Sequence, residues 1–455
     1  MTSTEATKLT GLTGPTGPTG PSGAMLRRVA LASCVGTTIE FYDFFVYGTA
    51  AALVFPKVFF PALGPTAATV ASLATFAVAF VARPVGAVSF GHYGDRIGRK
   101  RTLVSTLLLM GVSTVLIGLL PGAATIGFAA PLLLVVLRFA QGFAVGGEWA
   151  GAALLAAEYA PPGQRGRYAM FPQLGPAIAL ALSSATFLVT SLAFGNADQA
   201  FLDYGWRVPF LLSIVLVTAG LYVRLKIEET PAFRHEQRQP SPRAPLREAL
   251  TQAPREILLA GGATTVMFAL FYTGTTYLTS YGTSPTGAAL SRTLVLSLGI
   301  AAGVAMAPCT VVSALAADRL GRRTLIMAVC AGSAVWSLLL FPLLDTRSPV
   351  AFGVGVLVTL GLQSLGYGAI GAFLPETFAT RYRYTATGTS YNLAGIVGGA
   401  TVPLAAGPLA AAFGSGAIGL LLCALSVLSL VCAGALPETK DRDLRQARPS
   451  AVAIR

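Results

Sequence analysis

Five ionisable side chains fall well inside long apolar stretches of this chain: the acids Glu40, Asp43 and Glu148 and the bases Arg83 and Arg138. A charge at the centre of a lipid-crossing helix costs about 2.5–3.5 kcal/mol on the insertion scale, so groups kept there are expected to pair or to face a water-filled cavity. Glu40 and Asp43 are three residues apart and share a helix face. Gln141 and Glu148 are seven apart, nearly aligned on one helix, and Arg138 shares their broad face. Three acids against two bases leave one excess negative charge, which a single proton neutralises. Asp43, helped by Glu40, is the expected carrier, with Arg138 and Glu148 in the same proton-coupling set. A carboxylate in low dielectric is drawn toward neutral-range titration unless a nearby arginine opposes it. His92 and His235 lie in polar gaps and cannot substitute. A purely structural reading, ion pairs locking helices together, competes for each residue singly; five such groups confined to one half of the chain weigh against it for the set.

Arg83 and Arg138 have two competing roles, substrate anchor or partner of the proton site. Guanidinium forks bind carboxylates bidentately, so an organic anion is the expected cargo. Pro84 beside Arg83 also allows a gating or snorkelling role for that arginine. The second half offers neutral groups instead: Tyr272, Thr276 and Tyr277, then Gln363 and Tyr367, then Tyr391 and Asn392. Arg83, Gln141, Tyr272, Tyr277, Gln363, Tyr391 and Asn392 are the expected substrate contacts, although such groups serve equally to hydrogen-bond neighbouring helices.

The elements that must position these residues follow from composition. Of 455 residues, 54% are hydrophobic and 11% charged, against roughly a quarter charged in soluble domains, so the missing polar surface must face lipid. Twelve apolar runs of about 20 residues predict an all-α membrane protein with twelve transmembrane helices; the runs are too long and too continuous for barrel strands. The net charge of +13 resides in short gaps between the runs, a cytoplasmic positive bias rather than a nucleic-acid footprint. With both termini cytoplasmic, only Lys57, Arg207, Arg292 and Arg347 fall in gaps on the opposite side. The five cysteines have no CxxC spacing, so neither a disulfide framework nor a metal site is expected. No GxSxG, GxxxxGK[ST] or HExxH pattern occurs, and no enzyme activity or cofactor is expected.

The polar stretch 225–255 divides the chain, and matching motifs follow on either side. Gly94-Asp95-Arg96-Ile97-Gly98-Arg99-Lys100 matches Ala317-Asp318-Arg319-Leu320-Gly321-Arg322-Arg323, Glu158 with Arg165 matches Glu376 with Arg383, and Glu229-Thr230 matches Glu438-Thr439. Three pairs in order predict two pseudo-symmetric six-helix bundles. The expected organisation is a cytoplasmic tail over 1–28, a first bundle over 29–224, a cytoplasmic loop over 225–255, a second bundle over 256–436 and a tail over 437–455. Gly94, Asp95, Arg96, Gly98, Arg99, Asp318, Arg319, Gly321, Arg322, Glu158, Arg165, Glu376 and Arg383 are the expected gating loops.

The paired loops resemble the signature of the major facilitator superfamily, and Arg138-Phe139-Ala140-Gln141-Gly142 resembles its RxxQG motif. More narrowly, Gly36-Thr37-Thr38-Ile39-Glu40-Phe41-Tyr42-Asp43-Phe44, Ala82-Arg83-Pro84-Val85-Gly86, Gln141 to Trp149 and Phe171-Pro172-Gln173-Leu174-Gly175 resemble the metabolite:proton symporter branch, with its shikimate, 2-oxoglutarate, citrate and proline or betaine transporters. Phe41, Ala379 and Arg381 depart from residues common there. The resemblance implies alternating access driven by a proton gradient in a bacterial inner (plasma) membrane, a monomer with no cofactor and no nucleic-acid partner, and coupling through Arg138. It favours import of a small organic anion such as a shikimate-like or keto or hydroxy carboxylate. A zwitterion symporter, or a drug:proton antiporter of the same fold, is the alternative.

Overall fold

The computed structural model describes residues 23–97, 99–146, 148–160, 164–194, 198–226, 245–379, 382–440 and 442. Among them there is no strand. A bilayer offers the backbone no hydrogen-bond partners, so each span must satisfy its own, and helices do so. In the first half, α1 is Gly23–Leu53, α2 Pro65–Ile97 and α3 Arg99–Leu119. Helix α4 comprises Ala129–Val145 and Glu148–Tyr159, α5 is Arg165–Ala193, and α6 is Arg207–Lys226. In the second half, α7 runs through Pro254–Tyr272, a π-helical turn at Thr273–Tyr277 and Leu278–Thr283. Helices α8, α9 and α10 are Arg292–Leu320, Arg322–Leu344 and Pro349–Thr377. Helix α11 joins Arg383–Ala394 and Thr401–Phe413 through a π-helical turn at Gly395–Ala400, and α12 is Gly416–Gly434. Among the described residues, ten helical stretches are long and apolar enough to cross a membrane, and α1 and α3 complete the twelve. A short helix, Pro245–Gln252, lies within the central loop.

The two bundles meet along α5 and α8, along α2 and α11, and where α1 packs on the π-helical turn of α7. Glycines set how closely some helices approach. An added Cβ at Gly142 would strike the backbone of Ala79, and one at Gly146 the backbone of Arg83, so α4 lies directly on the main chain of α2. The fourth helix is described in two stretches on either side of residue 147, Ala129–Val145 and Glu148–Tyr159.

Gly142→Ala is expected to lower the melting temperature of the purified protein, an overpacking cost of about 1–3 kcal/mol. Gly332→Ala is the contrast, because its new methyl would meet only the Leu362 side chain, at 3.8 Å. It should leave the melt unchanged or raise it, and equal melts for the two variants would contradict the close α2–α4 contact.

Candidate functional site

Asp43 sits about two-thirds of the way along α1 and is 1% exposed. Its carboxylate accepts hydrogen bonds from Ser213 Oγ of α6 at 2.5 Å and Thr114 Oγ1 of α3 at 2.9 Å. Gln141 Nε2 donates to the same threonine oxygen at 2.7 Å, and Arg138 Nη1 donates to Gln141 Oε1 at 3.1 Å. A continuous buried chain thus runs Arg138, Gln141, Thr114, Asp43, Ser213 across four helices. Thr114 also lies 3.0 Å from the Met110 carbonyl, so its single hydroxyl proton has two acceptors to choose between. A carboxylate held this way can exchange a proton while the threonine redirects its own.

The Arg138 guanidinium is fully buried, with Cζ 3.9 Å from the Tyr47 ring centroid, 4.2 Å from Phe44 and 4.6 Å from Phe76. Arg83 lies over Phe44 at 4.7 Å and Phe80 at 5.0 Å, beside the Tyr272 hydroxyl. Nε and Nη2 of Arg138 and Nε of Arg83 have no hydrogen-bond partner among the described residues. Ring faces supply the counter-surface there.

Between the two halves, a small cavity is lined by Glu40, Arg83, Val145, Gly146, Trp149, Ala150, Gly388, Tyr391 and Asn392. Trp149 stacks on Tyr391 with centroids 3.6 Å apart and planes at 9°. Trp149 Nε1 donates to Gln173 Oε1, Gln173 Nε2 donates to the Tyr367 carbonyl, and the Tyr367 and Tyr391 hydroxyls are 2.9 Å apart. Asn392 Nδ2 donates to the Gly146 carbonyl at 3.1 Å. A second cavity, about 380 Å³, lies beyond an aromatic layer containing Phe44, Phe76, Phe80 and Tyr272, and carries the hydroxyls of Thr49, Ser184, Thr275 and Thr279.

The expected residues therefore divide. Glu40, Arg83, Tyr391 and Asn392 share one cavity, and Tyr272 borders it through Arg83. Both ends of the Gln141 amide are engaged inside the first bundle, away from that cavity. Tyr277 packs on Tyr281 and Phe341, and Gln363 is buried, accepting from Ser364 Oγ. Glu148 is half-buried at the head of the second α4 segment. Thr114, Ser213, Trp149 and Gln173 were not among the expected site residues. Single hydroxyls in apolar helices carry no spacing signal, whereas Trp149 and Gln173 stand inside motifs already quoted.

At the end of the molecule holding the paired loops, Arg322 meets Asp318 at 2.8 Å and Glu376 at 3.1 Å, and Arg165 of the first half reaches Glu376 at 3.5 Å. Asp318 accepts from the backbone N–H groups of Gly166 and Arg167, capping α5 from the opposite bundle. Gly321 has φ +101°, a left-handed conformation that suits glycine, and behind it Glu438 accepts from Arg322 N and Arg323 N at the start of α9. Arg319 offers its carbonyl to Lys440 Nζ, Thr439 Oγ1 donates to Glu376, and Arg383 Nε donates to the Phe378 carbonyl. Gly98 and the side chains of Gly94, Asp95, Arg96, Arg99 and Glu158 lie outside the described residues.

Twelve helices in two bundles, closed on one another around buried charges, define a membrane transporter. The profile described as Major Facilitator Superfamily matches residues 34–395, and the chain belongs to that family. It is 45% identical over 421 residues to the inner membrane metabolite transport protein YhjE of Escherichia coli (strain K12), covering 92% of this chain and 95% of that one. The shikimate transporter of the same organism is 40% identical, covering 84% and 87%, and its proline/betaine transporter 33% identical, covering 94% and 87%. Among solved structures, the proton:xylose symporter XylE bound to 6-bromo-6-deoxy-D-glucose superposes with a TM-score of 0.72 at 19% identity, covering 92% of this chain and 98% of that one. The protein is a multi-pass inner-membrane transporter of the metabolite type and not an enzyme.

The Glu438 carboxyl gives a pH test of the closed end. Burial raises its pKa, but the backbone N–H groups of Thr439, Arg322, Lys440 and Thr324 outweigh burial and hold it below the usual glutamate range. A depressed folded-state value stabilises above the unfolded pKa and ceases to do so as pH falls through the folded one. Glu438→Gln should therefore melt below wild type at neutral pH, with the gap closing as the pH falls through and below the ordinary glutamate range. A gap that stays constant over that range would refute the capping role.

Proposed function

We propose that this transporter is a proton-coupled symporter that imports a small carboxylate-bearing metabolite by alternating access, with both termini cytoplasmic. The observation that carries the reading is the sealed chain from Asp43 through Thr114 and Gln141 to Arg138. Ionised, Asp43 accepts from two hydroxyls; protonated, it no longer needs both, and Thr114 turns its proton to the Met110 carbonyl. That turn alters what Gln141 and Arg138 feel on α4, the helix that also lines the cavity between the halves. Proton uptake at Asp43 and the arrangement of the cavity are linked through one helix.

Arg83 is the anchor for a substrate carboxylate, with Trp149, Tyr391 and Asn392 around the remainder of the molecule and Tyr272 behind. The bridge of Trp149, Gln173, Tyr367 and Tyr391 breaks when the cavity opens, and the Asp318 and Glu376 contacts break with it. The scarcity of lysine and arginine among the opposite gaps supports cytoplasmic termini. The shikimate and proline/betaine transporters among the relatives support a carboxylate as the common chemical feature of the cargo. One observation favours a zwitterion over a simple anion: Glu40 and Arg83 line the same cavity, so it offers both signs of charge.

Uptake into proteoliposomes of radiolabelled shikimate, 2-oxoglutarate, citrate, proline and glycine betaine, with and without an inward proton gradient, tests both levels. One coupled electroneutral proton allows up to about tenfold accumulation per pH unit. Asp43→Asn should reduce that accumulation to near unity while gradient-free exchange continues, because the amide mimics the protonated acid. Full gradient-driven accumulation by Asp43→Asn would remove Asp43 from the mechanism, and no uptake of any compound would leave the carboxylate reading without support.

A further inference from the structure

Phe44 follows Asp43 on α1, and its ring is shared by the two buried guanidiniums: Arg138 Cζ lies 4.2 Å from its centroid and Arg83 Cζ 4.7 Å. The neighbouring rings are divided between them. Phe76 and Tyr47 lie against Arg138, and Phe80 lies against Arg83. Phe44 is itself held edge-on by Phe76 and Phe80, with centroids 4.8 and 5.7 Å away, and is tilted against Tyr272 at 5.7 Å. The ring has little room to move independently of α1.

Two like charges in a low-dielectric interior repel. An aromatic ring that both approach attracts each cation and offsets part of that repulsion. Arg138 is the end of the hydrogen-bonded chain from Asp43, and Arg83 lines the cavity between the halves. The other titratable groups around the pair are Tyr47 and Glu40 on α1, Tyr272 on α7 and Tyr391 on α11.

We propose that Phe44 is the positioning residue that couples the proton site to the substrate site, its ring being the common counter-surface of Arg138 and Arg83. This rests on the symport reading above. When a substrate carboxylate draws Arg83 toward the cavity, repulsion on Arg138 falls and the Arg138 end of the chain relaxes. When Asp43 takes a proton, the pull on Arg138 through Gln141 and Thr114 changes, and Arg138 resettles on the ring that Arg83 also uses. Each event changes the free energy of the other by the same amount, as linkage requires.

The test is the ratio of accumulation under a one-unit inward pH gradient to gradient-free exchange, using whichever of the five named compounds wild type accumulates most. Phe44→Leu and Phe44→Met, which keep apolar bulk and lose the π-face, should each lower that ratio about tenfold, the full worth of one proton per pH unit. Phe44→Tyr, which keeps the ring, should hold it within about twofold of wild type, as should Phe59→Leu, whose buried ring packs on Phe55 and Trp206 rather than on either guanidinium. Two Phe44 variants guard against misfolding of either one, checked by monodispersity after purification. A wild-type ratio in Phe44→Leu or Phe44→Met, or an equal loss in Phe59→Leu, overturns the proposal. If wild type accumulates none of the compounds, the symport reading fails, and this proposal fails with it.

Discussion

The structure turns on a carboxylate that is buried without a cation in its hand. Asp43 is satisfied by the hydroxyls of Ser213 and Thr114, and the nearest guanidinium in its network is reached only through an amide. A direct arginine partner would hold the acid ionised, and breaking a buried pair is costly. Hydroxyl donors make a weaker claim, because a hydroxyl can rotate to another acceptor when the acid takes a proton. The arginine is then left to be stabilised by something other than charge, which is why Arg138 is walled by Phe44, Tyr47 and Phe76. The aromatic layer follows from the choice of acid partner.

The same economy explains the unequal halves. Around the cavity and the aromatic layer, the first bundle supplies the charges Glu40, Asp43, Arg83 and Arg138, and the second contributes Tyr272, Tyr367, Tyr391 and Asn392, neutral groups that close on the first by stacking and single hydrogen bonds. Such contacts are individually weak and can be exchanged for contacts with water or ligand without stranding a charge. At the loop end the halves are joined by charge, where Asp318 caps α5 and Arg165 meets Glu376 in a partly exposed setting. There, water can take over the partners when the halves separate.

Much of this was legible before any coordinates. Length and apolar continuity point to the twelve helices, and the paired loop motifs to the two bundles, because lipid leaves few alternatives to a span of that composition. Asp43 and Arg138 are buried, as their place inside apolar runs implies. What sequence could not reveal was partnership. Gln141 was expected to face substrate, yet it bridges Arg138 and Thr114, since a seven-residue spacing identifies a face but not what packs on that face. Thr114 and Ser213 look like any small hydroxyl in an apolar helix.

The cavity adds a constraint on cargo that family likeness does not supply. The fold is shared with XylE at 19% identity, so fold alone leaves the ligand open. A site carrying Glu40 and Arg83 is neutral when both are ionised. A net anion entering it leaves an uncompensated negative charge in a confined, low-dielectric space, and such a charge is expensive unless a proton arrives with it. A zwitterion meets both poles and needs no second proton at that place. On the symport reading, the net charge of the cargo and the number of protons carried are therefore one question, decided by whether Glu40 is ionised when Arg83 takes the carboxylate.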